Sequence, residues 1–189
     1  MKRLTITLLL LLMISGTSLF AQRHKVALSE NHGGTLNLGL GVGGYYGYYN
    51  YVGHSVPVLN INYEFDVARN FTLAPFATFI TYRDYVTEGN YDYYYRETII
   101  PLGVKGTYYL DQVLGAGPDW DFYLAGSLGF NLVRTIWDDG HNYSSDAYYH
   151  SVGPLFLDLH AGAEYHLSNR VGIFLDLSTG VSTVGLAIH

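Results

Sequence analysis

The stretch LFLDLHAGAEYHL, residues 155–167, decides the fold of this chain. Every second residue is apolar, and the residues between them include the ionisable side chains Asp158, His160, Glu164 and His166. This alternation is the period of a β-strand with one face suited to an apolar medium and one that is not. It fits the wall of a transmembrane barrel, with lipid outside and a polar lumen inside, or a strand of a soluble sandwich.

The first 21 residues have the pattern of a secretory signal peptide. Lys2 and Arg3 precede the apolar run Leu8–Ile14, and small residues lead to a cleavage position after Ala21. The run is shorter than the ~20 residues that a membrane-spanning helix requires. The sequence therefore predicts three parts: a signal peptide (1–21), a short periplasmic N-terminal segment (22–34) and an outer-membrane β-barrel (35–189).

Composition narrows the class of protein. The chain has no cysteine, which excludes both disulfides and a lipid anchor on an N-terminal cysteine. Its formal net charge is −6. An acidic surface repels phosphate backbones, so we expect no nucleic-acid partner.

The alternation of the first stretch recurs along the chain, and the connections between the repeats differ in length. Eight strands are predicted, at residues 35–46, 57–67, 71–83, 97–110, 121–137, 155–167, 171–178 and 182–189. An even number lets an antiparallel meander close with both termini on one side. The face opposite the leucines is rich in Gly, Ala, Ser, Thr and Asn, as the narrow lumen of eight strands requires. The predicted fold is all-β, an eight-stranded antiparallel up-and-down transmembrane β-barrel.

The predicted turns are short at one end of the barrel, and the longest connections, at residues 45–55, 84–96 and 137–153, lie at the other. This asymmetry is typical of periplasmic turns and extracellular loops. Pro75 and Pro101 fall on neighbouring strands and cannot donate to a ladder, which predicts a bulge or weak pairing there.

Tyrosines gather toward the predicted strand ends, as aromatic girdles at two membrane interfaces would. The periplasmic girdle is predicted at Tyr63, Tyr108, Tyr123 and Tyr165. Nine further tyrosines in the outer loops form the other candidate set: Tyr46, Tyr49, Tyr51, Tyr91, Tyr93, Tyr94, Tyr95, Tyr148 and Tyr149. Tyrosine offers a large amphipathic contact area at low entropic cost, so these loops either recognise a partner or form an interfacial belt.

Charged residues on the predicted lumen face form the other candidate site. They are Glu64, Asp66, Lys105, Asp158, His160, Glu164, His166 and Asp176. Buried charges need partners, so the first interpretation is a salt-bridged network that fills the barrel. The alternative is a small gated pore or a proton-linked site using Lys105 and His160.

No catalytic, metal or cofactor site is predicted. The spacing of Asp158 and His160 on one face is common by chance in strands with a polar face. The pairs His54-Ser55 and His150-Ser151 would point to opposite faces of a strand, so neither forms a nucleophile with its base.

With these features the chain resembles the small eight-stranded outer-membrane barrels of Gram-negative bacteria. These form the OmpA/OmpX/OmpW-like superfamily, and the chain is most similar to its outer membrane protein β-barrel domain group. The segments GAEYHLSNRVGIFLDLS (162–178) and TVGLAIH (183–189) carry the resemblance, together with the signal peptide and the strand count. It implies a monomer in the outer membrane, surrounded by lipid and lipopolysaccharide and inserted by the barrel-assembly machinery.

The function expected from these features is non-enzymatic: a structural role, or adhesion and surface recognition through the tyrosine-rich loops. Two alternatives stay open. One is a narrow OmpW-like pore for small hydrophobic or ionic solutes, and the other is a soluble periplasmic β-protein.

Overall fold

The computed structural model describes residue 32 and residues 34–43, 56–88, 90–137 and 153–189. Within them the chain forms eight β-strands and a single helical turn, α1, at Asp111–Leu114. The strands are β1 (Thr35–Gly43), β2 (Val56–Ala68), β3 (Phe71–Glu88), β4 (Tyr91–Tyr109), β5 (Trp120–Trp137), β6 (Leu155–Ser168), β7 (Val171–Ser178) and β8 (Val181–Ile188).

The strands form a closed up-and-down barrel. Each pairs antiparallel with the next along the chain, and β8 pairs with β1 to close the sheet. This confirms the predicted fold class. None of the helical structure in the described residues is long and apolar enough to cross a bilayer.

The two ends of the barrel are built differently. At one end, which we call the turn end, Arg69–Asn70 and Asn169–Arg170 form tight turns and α1 joins β4 to β5. Asn70 has φ +57°, a left-handed conformation that asparagine tolerates better than most residues. At the other end, the loop end, residues 89–90 join β3 to β4 and residues 179–180 join β7 to β8. The connections at 44–55 and 138–152 lie outside the described residues.

The outer surface of the barrel is apolar. On β6, Leu159 is 61% exposed whereas the neighbouring Asp158 is 1% exposed, so the leucine face of the opening stretch points outward. The same face continues around the barrel through residues such as Leu40, Leu128 and Leu175. An apolar wall around a whole barrel is far larger than the patches that soluble monomers expose, and a lipid bilayer covers such a wall.

The lumen is filled by side chains of two kinds. Toward the loop end lies an apolar cluster, formed by Val56, Val58, Phe76, Ile80, Tyr82, Ile99, Phe156 and Val181. Toward the turn end most of the buried side chains are polar or charged, among them Glu64, Lys105 and Asp176. The sequence predicted the polar and charged side chains in the lumen. It did not predict the apolar cluster.

Residues 84–88 and 91–96, predicted to lie in a loop, are instead strand, which corrects the sequence interpretation. The β3–β4 ladder continues through them to the pair Glu88–Tyr91. Alternation of apolar and polar residues is absent there, but tyrosine, threonine and valine favour β structure, and the paired backbone keeps the ladder regular.

The ladder also runs past both prolines without a change of register. Pro75 is opposite Val104, and pairing stops at Ala77–Leu102 and resumes at Ile80–Ile99 with the same offset. The predicted bulge is therefore wrong. The predicted weak pairing is found beside Pro101, which has no N–H to donate.

Candidate functional site

The lysine of the lumen is held by a group of partners from three other strands. Lys105 on β4 forms a salt bridge with Asp176 on β7. The other oxygen of Asp176, Oδ1, lies 2.7 Å from His160 Nδ1, and His160 Nε2 lies 2.9 Å from Ser127 Oγ. Tyr123 Oη donates to Asp176 Oδ2 over 3.1 Å. Every oxygen of this buried carboxylate is thus bonded, as a buried charge requires.

Ser127, His160 and Asp176 follow one another as the members of a Ser-His-Asp triad do, with the imidazole between hydroxyl and carboxylate. The cavity that they line, beside Lys105, has a volume of about 20 Å³. That space holds about one water molecule and is too small for an ester or amide group. The chain of hydrogen bonds therefore stabilises the ion pair of Lys105 and Asp176.

A second group surrounds Glu64 on β2. The carboxylate accepts hydrogen bonds from Asn37 Nδ2 (2.9 Å), Thr72 Oγ1 (2.6 Å) and Tyr109 Oη (2.8 Å). Asn37 also donates to Asn62 Oδ1 over 3.0 Å. Three donors stabilise the buried carboxylate and connect β1, β2, β3 and β4 across the lumen.

Asp158 has a further role at the end of β7. Its carboxylate accepts from the hydroxyls of Ser178 and Thr179 and from the backbone N–H groups of Gly180 and Val181, at 2.6–3.2 Å. It therefore fixes the β7–β8 turn. The predicted network joined Asp158 to Lys105; the lysine pairs with Asp176, and Asp158 Oδ2 lies 3.9 Å from Nε2 of His160 in the same group.

Histidines and carboxylates alternate at the turn end of the lumen. His189 Nε2 lies 2.8 Å from Glu164 Oε1, and His166 Nε2 lies 2.9 Å from Asp121 Oδ2. Asp121 Oδ2 is also 3.4 Å from His32 Nδ1. With Asp111, these side chains form what we call the turn-end cluster: His32, Asp111, Asp121, Glu164, His166 and His189.

Glycines make room for the larger lumen side chains. A Cβ atom at Gly172 would lie 2.1 Å from Glu164 Oε1, and one at Gly162 would lie 2.2 Å from Tyr123 Cζ. The small residues that the sequence shows on the lumen face are therefore a steric requirement of the charged and aromatic ones beside them.

Asp111 is the first residue of α1 and is buried. Its Oδ1 accepts the backbone N–H of Phe122 over 2.6 Å, whereas no hydrogen bond within the described residues reaches Oδ2. Burial raises the pKa of this carboxyl above its ordinary value. Beside it the His32 ring stacks on Tyr109, with centroids 3.9 Å apart and planes 6° from parallel.

The predicted lumen residues fall into several groups rather than one network. Lys105, His160 and Asp176 are together, and Glu164 and His166 belong to the turn-end cluster. Asp66 differs from the prediction because its side chain is exposed, where β2 loses register with β3.

Several participants are not among the predicted site residues: His32, Asp111, Asp121, Tyr109, Ser127 and His189. Parity indicates three of them, because Asp121 and Ser127 share the inward face of β5 with Tyr123, and Tyr109 shares that of β4 with Lys105.

The four tyrosines predicted for the periplasmic girdle differ in exposure. Tyr63, Tyr108 and Tyr165 are exposed near the turn end. Tyr123 is not part of that girdle, because its side chain is buried in the lumen. Trp120 lies there instead, with its ring 4.9 Å from that of Tyr165.

The predicted recognition tyrosines are described only in part. Four of them lie in the first five residues of β4: Tyr91, Tyr93, Tyr94 and Tyr95. Tyr91 is 71% exposed. Tyr46, Tyr49, Tyr51, Tyr148 and Tyr149 lie outside the described residues.

An apolar outer wall around a polar, ion-paired lumen is the arrangement of a transmembrane β-barrel, and this is the class of protein that the fold defines. Six of the eight strands have 9 to 19 residues, enough for the about 9–11 tilted residues that cross the hydrocarbon core, and β7 and β8 have eight.

The chain is similar in fold to solved structures of Ail, the attachment invasion locus protein of Yersinia pestis. One, in complex with the heparin analogue sucrose octasulfate, is 9% identical with a TM-score of 0.43, and the match covers 82% of this chain and 98% of that one. A second crystal structure of Ail is 10% identical with a TM-score of 0.38 at the same coverage. These identities are too low to carry a function from one chain to the other. No protein-family model matches the chain, and no curated protein matches it.

Proposed function

We propose that this protein is a non-enzymatic, monomeric barrel of the bacterial outer membrane that acts in recognition or adhesion at the cell surface. The observation that carries the proposal is a projecting sheet at the loop end. We call it the extension, and it consists of residues 81–88 of β3, 91–98 of β4 and 131–137 of β5.

Within the described residues, the extension continues past the end of the β2–β3 pairing. There, pairing of β3 with β2 ends at Ile80, whereas pairing of β3 with β4 continues for eight further residues of β3. At about 3.3 Å per residue, these carry the sheet roughly 25 Å along the strand direction. A structure of this length on the outer side of the membrane is accessible to other molecules.

The outward face of the extension carries a pair of tyrosines. Tyr85 and Tyr94 are opposite one another with ring centroids 5.6 Å apart, and both are exposed. Arg83 lies over the Tyr94 ring at 5.3 Å. Exposed, paired tyrosines on a hydrogen-bonded sheet suit recognition, because tyrosine offers a large contact area at a low cost in side-chain entropy.

Three exposed arginines lie on the same face at the base of the extension. Arg83 is directly opposite Arg96, and Arg134 is opposite Thr98 on the next strand. Like charges directly opposite on neighbouring strands repel. Arginine binds phosphate with fixed geometry, so three exposed arginines on one face offer a site for a ligand with several phosphates. Since Leu132 and Phe130 continue this face into the apolar wall, we assign the arginines to the phosphates of lipopolysaccharide.

The alternative of a narrow pore finds no support in the lumen. The apolar cluster lies toward one end and the ion-paired groups toward the other, with a cavity of about 20 Å³ between them. A path for solutes would require several of these contacts to break together. We expect planar bilayers containing the protein to show no steady single-channel events.

Location is tested by fractionation of cells that express the full chain. We expect recovery in the outer membrane, extraction only with detergent, and heat-modifiable migration on a gel. Recovery in the periplasmic fraction without detergent would refute the membrane proposal.

Recognition is tested with a Tyr85→Ser/Tyr91→Ser/Tyr94→Ser variant. Cells displaying it should adhere less to a confluent epithelial layer, and to each other, than cells displaying the parent chain. Tyr63→Ser/Tyr108→Ser at the turn end is the matched control and should adhere normally. Equal adhesion of all three strains, at equal surface levels, would contradict a recognition role for the extension.

The arginine assignment is tested by thermal unfolding in micelles with added lipopolysaccharide. The parent barrel should be stabilised, and Arg83→Gln/Arg96→Gln should lose most of that gain. Arg69→Gln/Arg170→Gln, at the turn end, should keep it. Dephosphorylated lipopolysaccharide should stabilise none of them, and equal stabilisation by both forms would exclude a phosphate site.

A further inference from the structure

We propose that His32, Asp111 and Asp121 form a zinc site at the turn end of the barrel. These residues come from three parts of the chain: the segment before β1, the single turn α1 and the start of β5. Their candidate ligand atoms all lie within 4.8 Å of one another. The recognition role proposed above does not require these three side chains to lie together.

The three side chains are buried to a degree that needs an explanation. Their exposed fractions are 6% for His32, 8% for Asp111 and 9% for Asp121. Two carboxylates this close repel each other, and their removal from water adds to the cost. A cation between them offsets both effects.

An acceptor without a donor points into the site. Asp111 Oδ1 is fixed by the Phe122 N–H, which directs Oδ2 toward His32 Nε2, 3.9 Å away. No hydrogen bond within the described residues reaches Oδ2, although it is buried. A buried carboxylate oxygen of this kind is a ready ligand for a metal ion.

The other two ligands are held in place by neighbours. The His32 ring is stacked on Tyr109 at 3.9 Å, which fixes its plane. Asp121 Oδ2 lies 2.9 Å from His166 Nε2, the kind of hydrogen bond that orients carboxylate ligands in metal sites. The side chain of His166 is 23% exposed, so solvent and ions reach the edge of the site.

The donor set selects zinc among the divalent cations. One imidazole and two carboxylates suit zinc, and three protein ligands leave a fourth position for water. Calcium and magnesium prefer oxygen ligands only and more of them. Bound zinc would tie the segment before β1 to the β4–β5 connection and so close the turn end of the barrel.

The test uses the full mature chain, refolded in detergent micelles and treated with a chelator. Titration with zinc chloride, followed by calorimetry, should show one ion per barrel. Zinc at about 100 times its Kd should raise the unfolding midpoint by about 5–10 °C. His32→Ala and Asp111→Asn should each weaken binding at least about 10-fold, and zinc-edge absorption should show one imidazole ligand.

His189→Ala is the matched control. Glu164, His166 and His189 form a second group with ligand atoms within 4.8 Å of one another, joined to the first through His166 and Asp121. If zinc binds where we propose, His189→Ala leaves the affinity unchanged. Loss of binding in this variant alone would move the site to the second group and overturn the proposal.

Two further outcomes would also overturn it. The parent chain could fail to bind zinc, which would leave His32 as an imidazolium between two carboxylates, or it could bind equally well without His32. Should Asp111→Asn fail to refold, His32→Ala decides the question, because His32 precedes β1 and takes no part in the strand ladder.

Discussion

The two halves of the lumen are equally well buried but are held together by different interactions. In the apolar cluster toward the loop end, Ile99 and Val58 are almost fully buried and contribute shape and apolar area. Toward the turn end, Glu64 and Asp176 are buried to a similar extent, and each carboxylate is hydrogen-bonded to several partners. A truncation in the first half leaves a void, whereas one in the second leaves an unpaired charge.

The difference also explains how a narrow barrel is closed at both ends. The apolar cluster excludes water beneath the extension, where Tyr82 Oη donates to the buried Glu97 over 2.8 Å. The polar half allows charged groups to cross-link β2, β4, β6 and β7. Together they make the lumen a core, comparable to the interior of a soluble protein inside an apolar wall.

The largest effect is expected in the polar half, from Lys105→Met. The substitution keeps most of the side-chain volume but leaves Asp176 without its cation. We expect the free energy of unfolding to fall by about 3–5 kcal/mol, as for other buried pairs that lose one partner. Denaturant titration of the barrel in micelles measures it, and unchanged stability would mean that the ion pair is not part of the core.

A second variant distinguishes two contributions to this loss of stability: the loss of the ion pair itself and the cost of leaving a buried carboxylate unpaired. Lys105→Met/Asp176→Asn removes both charges and keeps the amide near His160 and Tyr123. Its stability should lie between that of the parent and that of Lys105→Met. If the double variant is the least stable of the three, the carboxylate has a role beyond pairing with Lys105.

In the apolar half, Ile99→Ala should lower the free energy of unfolding by about 2–5 kcal/mol. Ile99 is 0% exposed inside the cluster, so part of this cost comes from the cavity left behind. Ile100, the next residue, faces outward among Leu38, Ile61 and Leu186. Lipid or detergent chains fill a gap there, so Ile100→Ala should cost less. Equal losses from the two variants would show that the cluster is loosely packed.

The sequence predicted this fold because a barrel wall repeats a local pattern. On β6 and β7 each outward leucine alternates with an inward polar or aromatic residue, and the predicted bounds differ from the observed ones by at most one residue. The pattern does not predict the strands in residues 84–88 and 91–96, because apolar and polar residues do not alternate there. Pairing in this stretch continues the β3–β4 ladder and does not depend on a lipid-facing side.

The alternation along each strand predicted which site residues face the lumen, but it did not predict which of them contact one another. Lys105, His160 and Asp176 were all placed in the lumen, yet their association depends on how four strands are staggered around the barrel. Two members of the turn-end cluster were beyond prediction for a further reason. His32 and Asp111 lie in connections rather than strands, so no periodicity indicates where their side chains point.

A smaller effect is expected from Asp158→Asn, which tests the turn that lies beside the apolar cluster. The amide keeps one acceptor oxygen but sets an NH₂ group against two donors, either those of Ser178 and Val181 or those of Thr179 and Gly180. We expect a loss of about 1–3 kcal/mol. Asp66→Asn is the matched control, and because Asp66 is exposed it should change stability by less than about 0.5 kcal/mol. Comparable losses would mean that Asp158 acts only through the net charge of the barrel.

The smallest effect, and the one of opposite sign, concerns two threonines that are directly opposite each other on β3 and β4. Thr72 and Thr107 are both 0% exposed. Thr72 Oγ1 donates to Glu64 over 2.6 Å, whereas Thr107 Oγ1 has no hydrogen-bond partner within the described residues.

Valine matches threonine in shape, so Thr107→Val removes an unsatisfied hydroxyl at little steric cost and should raise stability by about 1 kcal/mol. Thr72→Val should lower it, because Glu64 then loses one of its donors. Denaturant titration of the two variants side by side measures the difference, and a loss in both would mean that Thr107 has a partner, such as a water molecule, in the polar half of the lumen.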